Sequence, residues 1–145
     1  MKRGILLLAF VIGPAGSAFA HHLALVVHHD NARREVTAAE VAGMLDMRIR
    51  DWPDGKHVVL VMHREPEHEV LTLERLGNMS REHAQRLINE HRHEIRFVDS
   101  DENVLQTVST TPGALGLVDF HAVKEGVNVV KVDGKLPMEK GYVLP

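Results

Sequence analysis

Two short apolar runs constrain this fold more than any other feature. Leu23-Ala24-Leu25-Val26-Val27 and Val58-Val59-Leu60-Val61-Met62 are of strand length and have no polar residue on either alternating face. Side chains alternate across a strand, so such runs must be buried on both sides, inside a sheet covered twice. The segments between and after them read as the covering helices. Thr37-Ala38-Ala39-Glu40 has capping-box spacing, with Thr and Glu each satisfying a free amide at a helix start. Val41, Met44, Leu45 and Ile49 are its expected buried stripe, and Asp51-Trp52-Pro53-Asp54-Gly55 the turn that stops it. Pro66 is placed as an early helical residue ahead of Val70, Leu73 and Leu76, with Gly77-Asn78 as the stop. Ser80 caps a helix carrying Ala84, Leu87 and Ile88. Ser100 caps another, with Asp101 and Glu102 favourable in its first turn and Val104, Leu105 and Val108 inward. Strands are expected again at Ala114–Val118 and Val127–Val132, then along Leu136–Leu144 after the Asp133-Gly134 turn. This alternation predicts an α/β three-layer sandwich, with a mixed, mostly parallel sheet flanked by helices.

The first twenty residues stand apart from this pattern. Lys2 and Arg3 precede an uncharged, mostly apolar core from Gly4 to Gly13, and Ala18-Phe19-Ala20 supplies the small-x-small signature of a cleavage site. The apolar run is about half of the roughly 20 residues needed to cross a bilayer. Residues 1–20 therefore read as a signal peptide, and 21–145 as one domain of a periplasmic protein with no later span. Loss of Lys2 and Arg3 lowers Lys+Arg from 17 to 15 against 20 Asp+Glu, moving the formal charge from -3 to -5. An acidic chain lacks the basic face that nucleic acid requires, which excludes it as a partner. The chain has no cysteine, so neither disulfides nor thiol chemistry is available to it. No nucleophile-elbow or nucleotide-loop motif occurs, and an enzyme is not expected.

The motif order resembles the short relatives of the substrate-binding proteins of phosphate ABC transporters. The similarity is to one lobe of the type-2 periplasmic-binding fold. It is carried by the strand Leu23–Val27 with its Thr-capped helix leading to Trp52-Pro53-Asp54-Gly55. Arg64 after the second strand adds to it, as does the helix ending Leu76-Gly77-Asn78-Met79-Ser80. The most specific segment is Thr110-Thr111-Pro112-Gly113-Ala114-Leu115-Gly116-Leu117-Val118, and Val132-Asp133-Gly134-Lys135-Leu136-Pro137 with Tyr142 closes the series. The resemblance implies a non-enzymatic binding module for a small-molecule or anionic ligand, partnered by a membrane transporter or sensor. It places the ligand at His63, Arg64 and His68, facing Thr110, Thr111 and Gly113, with Arg64 as charge anchor. Gly113 and Gly116 also have a scaffold reading, one permitting a positive φ and the other a close helix approach. One departure bears on function. Family phosphate binders follow the arginine with a Ser-Gly-Thr-type helix start whose hydroxyls and amides cradle the anion. Here the stretch is Arg64-Glu65-Pro66-Glu67-His68-Glu69, which removes the hydroxyls and introduces three carboxylates. The standard phosphate cradle is therefore expected to be absent, and a sensory or protein-interaction accessory domain is the alternative.

All 11 histidines follow the leader, several in pairs. Cleavage after Ala20 would make His21 the first residue. Its amine and imidazole, with His22, then form a nitrogen-rich site suited to copper. His28-His29 lies at the far end of the same strand, roughly 20 Å away, too far to share that ion. His63 and His68, with Glu65 and Glu67 between them, form a corner that suits zinc. A histidine-based copper or zinc protein is thus a further expectation, beside surface histidines that simply titrate near neutrality.

Overall fold

The computed structural model describes residues 22–145, so the leader and His21 lie outside the described residues. The chain forms strand β1 (Leu23–His28), a short β2 (Glu35–Val36), helix α1 (Ala38–Leu45), β3 (Val59–His63), α2 (Glu67–Leu76) and α3 (Arg81–Glu90). It continues with β4 (Ile95–Val98), α4 (Asp101–Thr110), β5 (Ala114–Asp119), β6 (Val127–Val129) and β7 (Lys131–Val132). The main sheet has the order β4-β3-β5-β1-β6. Strand β3 pairs in parallel with β4 and β5, and β1 runs antiparallel to β5 and β6. Four of the five strands therefore point one way, as a mixed, mostly parallel sheet requires. Strands β2 and β7 form a small parallel pair beside it.

The two apolar runs are interior strands, and their alternation divides the core. Leu23, Leu25 and Val27 of β1, with Leu60 and Met62 of β3, face a layer built from α1, α2 and α3. Ala24, Val26 and Val61 face the other way, onto Val104, Leu105 and Val108 of α4. Gly116 of β5 is what lets α4 settle so closely: a Cβ there would stand 2.5 Å from Val104 Cγ1. The caps are as the sequence predicts. Thr37 and Glu40 form the full capping box, and Ser80 and Ser100 accept from the amides of His83 and Asn103.

Four local expectations are corrected. Helix α1 ends at Leu45, because Met47 takes a left-handed φ of 65°. Ile49 therefore lies outside the helix and 36% exposed rather than in its stripe. Pro66 is the residue before α2 rather than within it. The run Val127–Val132 divides after Val130: the Val130 amide still donates to Leu25 O beside β1, whereas the Lys131 amide donates to Arg34 O, so its halves join different sheets. Leu136–Leu144 is turn and coil, tied back where the Tyr142 hydroxyl donates to Leu23 O at 2.7 Å. Burial raises the pKa of that hydroxyl and keeps it a donor. Strand β4 went unforeseen. It is an edge strand in which only Ile95 is fully buried, so the exposed Arg96 interrupts its apolar signal.

Gly113 ties the β5 end of the motif to the Trp52 turn. Its φ is 80°, its carbonyl accepts from Trp52 Nε1 at 2.9 Å and from Val59 N at 3.0 Å, and a Cβ would run into His57 O. Gly55 also has a positive φ of 89°, but has open space around it. Gly55→Ala should thus cost about 1 kcal/mol, the left-handed backbone alone. Gly113→Ala should cost about 3 kcal/mol or more, because the backbone clash adds to it. Urea midpoints of the two variants compare them directly; equal losses would contradict the close approach.

Candidate functional site

The strand order reverses at β3. From β3 the chain passes through α2 and α3 to β4 on one side, then through α4 to β5 on the other. These connections use opposite faces of the sheet, which opens a crevice beyond the carboxyl ends of β3 and β4. His63 is the last residue of β3, and the first turns of α2 and α4 converge on it.

Both ring nitrogens of His63 are engaged. Nδ1 lies 2.8 Å from Glu69 Oε1 and Nε2 lies 2.6 Å from Asp101 Oδ1. Glu69 Oε1 also accepts from the His63 amide at 3.1 Å, and Asp101 Oδ2 accepts from the Asp119 amide at the end of β5. The cluster therefore ties together α2, β3, α4 and β5. The Asp101 hydrogen bond, followed by that of Glu69, raises the His63 pKa to about 9, against the opposing effect of burial. Burial works against the charged form of Asp101, but the His63 and Asp119 hydrogen bonds outweigh it and hold its pKa below the ordinary value. At neutral pH the His63 ring is an imidazolium held between the Glu69 and Asp101 side chains. Glu69 is completely buried, and its second oxygen, Oε2, has no partner among the described residues.

His68, in the first turn of α2, sets its ring edge-on to that of His63 with centroids 5.1 Å apart. One ligand atom from each of His63, His68 and Asp101 lies within 4.8 Å of the others. The carboxylates expected around these histidines diverge. Glu67 is exposed and paired with Arg81 at 2.6 Å, which holds its pKa down. Glu65 is exposed on the crevice rim beside Arg64, and Arg64 donates through Nε to Asp99 at 2.7 Å, both side chains open to solvent. Asp101 and Glu69 take the inner positions instead.

The remaining sequence-predicted residues lie elsewhere. Helix α4 runs from Asp101 at the His63 corner to Thr110 at the opposite end of the strands, about 15 Å away for a helix of its length. Thr110 and Thr111 are therefore not brought to face His63, Arg64 and His68. Thr110 bonds back to Gln106 O, Thr111 accepts from Arg96, and Gly113 holds the Trp52 turn. His22 packs edge-on against Tyr142 at 6.0 Å, with Nδ1 buried and unpartnered among the described residues; its proposed companion His21 lies outside them. His28 and His29 stack at 4.1 Å beside Asp30 as a second histidine group. Burial, then the neighbouring His29, lowers the His28 pKa, and His28 Nδ1 already accepts from the Asp30 amide at 3.1 Å.

Sequence reasoning had no direct signal for Glu69 and Asp101 as partners of His63. Glu69 shares its buried face with Thr72, three residues on, and that pairing was the available clue. Asp101 looked like an ordinary first-turn acid, and only the crossover of α4 brings it to β3.

No protein-family model matches the chain, and no curated protein matches it. Solved structures do. The chain is similar to PstS from Borrelia burgdorferi, with 17% identity and a TM-score of 0.71 over 85% of this chain and 53% of that one. It is also similar to an ABC-type phosphate transport receptor from Vibrio cholerae, with 16% identity and a TM-score of 0.66 over 80% and 48%. The chain spans about half the length of these relatives. The likeness is one of fold: a short, single-lobe, periplasmic-binding-protein-like architecture resembling the phosphate receptors.

Proposed function

We propose that the chain is an extracytoplasmic, non-enzymatic binding module that uses the phosphate-receptor scaffold without taking phosphate. One observation carries this reading: two carboxylates already occupy both nitrogens of His63 where the first turns of α2 and α4 converge. Helix N-termini attract anions through their free amides and dipoles. Here Asp101 and Glu69, from the first turns of those helices, supply that negative charge internally. An incoming phosphate would meet them at short range, which is repulsive. Arg64, the expected charge anchor, pairs with Asp99 at the exposed rim. The sequence supports an exported protein through the leader pattern of residues 1–20, and no described helix is long and apolar enough to cross a membrane.

Calorimetric titration of the metal-stripped protein with phosphate should give no binding heat at millimolar concentrations, and Arg64→Ala should behave as wild type. Saturable heat that Arg64→Ala abolishes would overturn the reading. The clamp should also appear in stability. The His63 pKa rises from 6.5 to about 9 on folding, so its contribution is complete below pH ~6.5 and is lost as pH rises through about 9. That shift corresponds to roughly 3 kcal/mol. Urea unfolding of metal-stripped protein should therefore show stability falling between those pH values in wild type, with a flatter profile in His63→Gln. Parallel profiles would contradict the clamp.

A further inference from the structure

The His63 corner has both the ligands and the supporting shell of a transition-metal site. His63 Nε2 and Asp101 Oδ1 lie 2.6 Å apart, and His68 offers a second imidazole within 4.8 Å of both residues' ligand atoms. In a tetrahedral zinc shell, nitrogen and oxygen ligands stand about 3.3 Å from each other. The first pair needs to open by under about 1 Å and His68 to close by up to about 1.5 Å. The two imidazoles approach edge-on, with ring planes at 89°, so they converge without stacking.

Glu69 supplies an independent observation. A metal-bound histidine typically donates its other ring N–H to a carboxylate, which fixes the tautomer and directs the ligating nitrogen. Glu69 Oε1 stands at that position, 2.8 Å from His63 Nδ1, and is held there by the His63 amide. The residue is fully buried and its Oε2 has no partner among the described residues. A buried carboxylate with an unsatisfied oxygen is costly, and a divalent cation on the far side of the His63 ring would offset that charge. The other histidine group lacks this support. At His28-His29-Asp30, His28 Nδ1 already takes a backbone amide, and only exposed Asp30 supplies a carboxylate.

We infer that the end of β3 binds a divalent transition-metal ion of the zinc class. His63, His68 and Asp101 are the ligands, the ion displacing the His63 Nε2 proton to solvent; Glu69 is the positioning residue, and a further coordination place is left for water or a solute group. The inference rests on the reading that this corner is not a phosphate cradle, and it names the class of ligand taken instead. Three protein ligands with one open place is the arrangement of zinc sites that accept an outside ligand.

The test is Zn(II) titration of the metal-stripped full chain against a chromophoric chelator, with Co(II) absorption reporting coordination geometry. Wild type should take up one Zn(II) that His68→Ala loses, and Co(II) should give the intense d–d bands of a tetrahedral site only when His68 is present. Glu69→Gln, which keeps an oxygen beside His63 and removes the charge, should weaken uptake by about 10–100-fold. The double substitution His28→Ala, His29→Ala should leave the site's affinity unchanged. His68 is half-buried and outside the clamp, so His68→Ala should fold even if Glu69→Gln does not, and it decides the matter alone. No Zn(II) uptake below millimolar, or uptake unchanged in His68→Ala, overturns the metal site and leaves the preceding reading standing. Phosphate heat in the metal-stripped protein overturns that reading separately.

Discussion

The structure depends on a sheet that is apolar on both faces. Because β1 and β3 bury alternate side chains in opposite directions, α1, α2 and α3 must lie on one face and α4 on the other. The chain then has to leave β3 toward one layer and β4 toward the other. That divergence creates the crevice at the strand ends, and it also delivers Glu69 and Asp101 to His63 from opposite sides. The site follows from the layering: a two-layer fold could not bring the two carboxylates to the histidine from opposite sides.

The same constraint explains what was legible in the sequence. The both-face strands and Ser or Thr caps depend on local spacing, and they appear as expected at Leu23–His28, Val59–His63, Thr37, Ser80 and Ser100. Features set by long-range geometry were harder to see. Edge strand β4 hides behind Arg96, and the run after Val127 divides because the Lys131 amide turns to Arg34 O while Val130 stays with Leu25. The Thr110–Gly113 motif reads as a partner for His63 until α4 is laid along the sheet, which places its end at the opposite end of the strands. Its glycines belong to the scaffold: Gly113 at the Trp52 turn and Gly116 beneath Val104.

The candidate site was half legible for a related reason. His63, His68 and Arg64 are close in sequence, so their corner could be found from spacing. The acids could be counted but not placed. Glu65, Glu67 and Glu69 look equivalent along the chain, yet two are exposed and one is entirely buried. Burial decides their chemistry. An exposed carboxylate beside an arginine, such as Glu67 with Arg81, contributes little beyond local order. A carboxylate removed from water governs the charge and orientation of whatever it touches.

His63 makes the consequence concrete. A scaffold whose helix N-termini favour negative charge can satisfy that preference with a dissolved anion or with side chains of its own. Side chains have two effects that a dissolved anion lacks. They are permanently present, so the corner is ordered without ligand, joining α2, β3, α4 and β5 through one imidazole. They also reverse the sign of the charge that can be added next. Asp101 and Glu69 set two acidic side chains against one imidazolium, and Glu69 Oε2 has no partner among the described residues. Further anion at this corner raises the electrostatic cost, whereas a cation lowers it. On the proposed reading, carboxylates in place of hydroxyls at one helix start change more than affinity for a single ligand: they change the class of ligand that the crevice would hold.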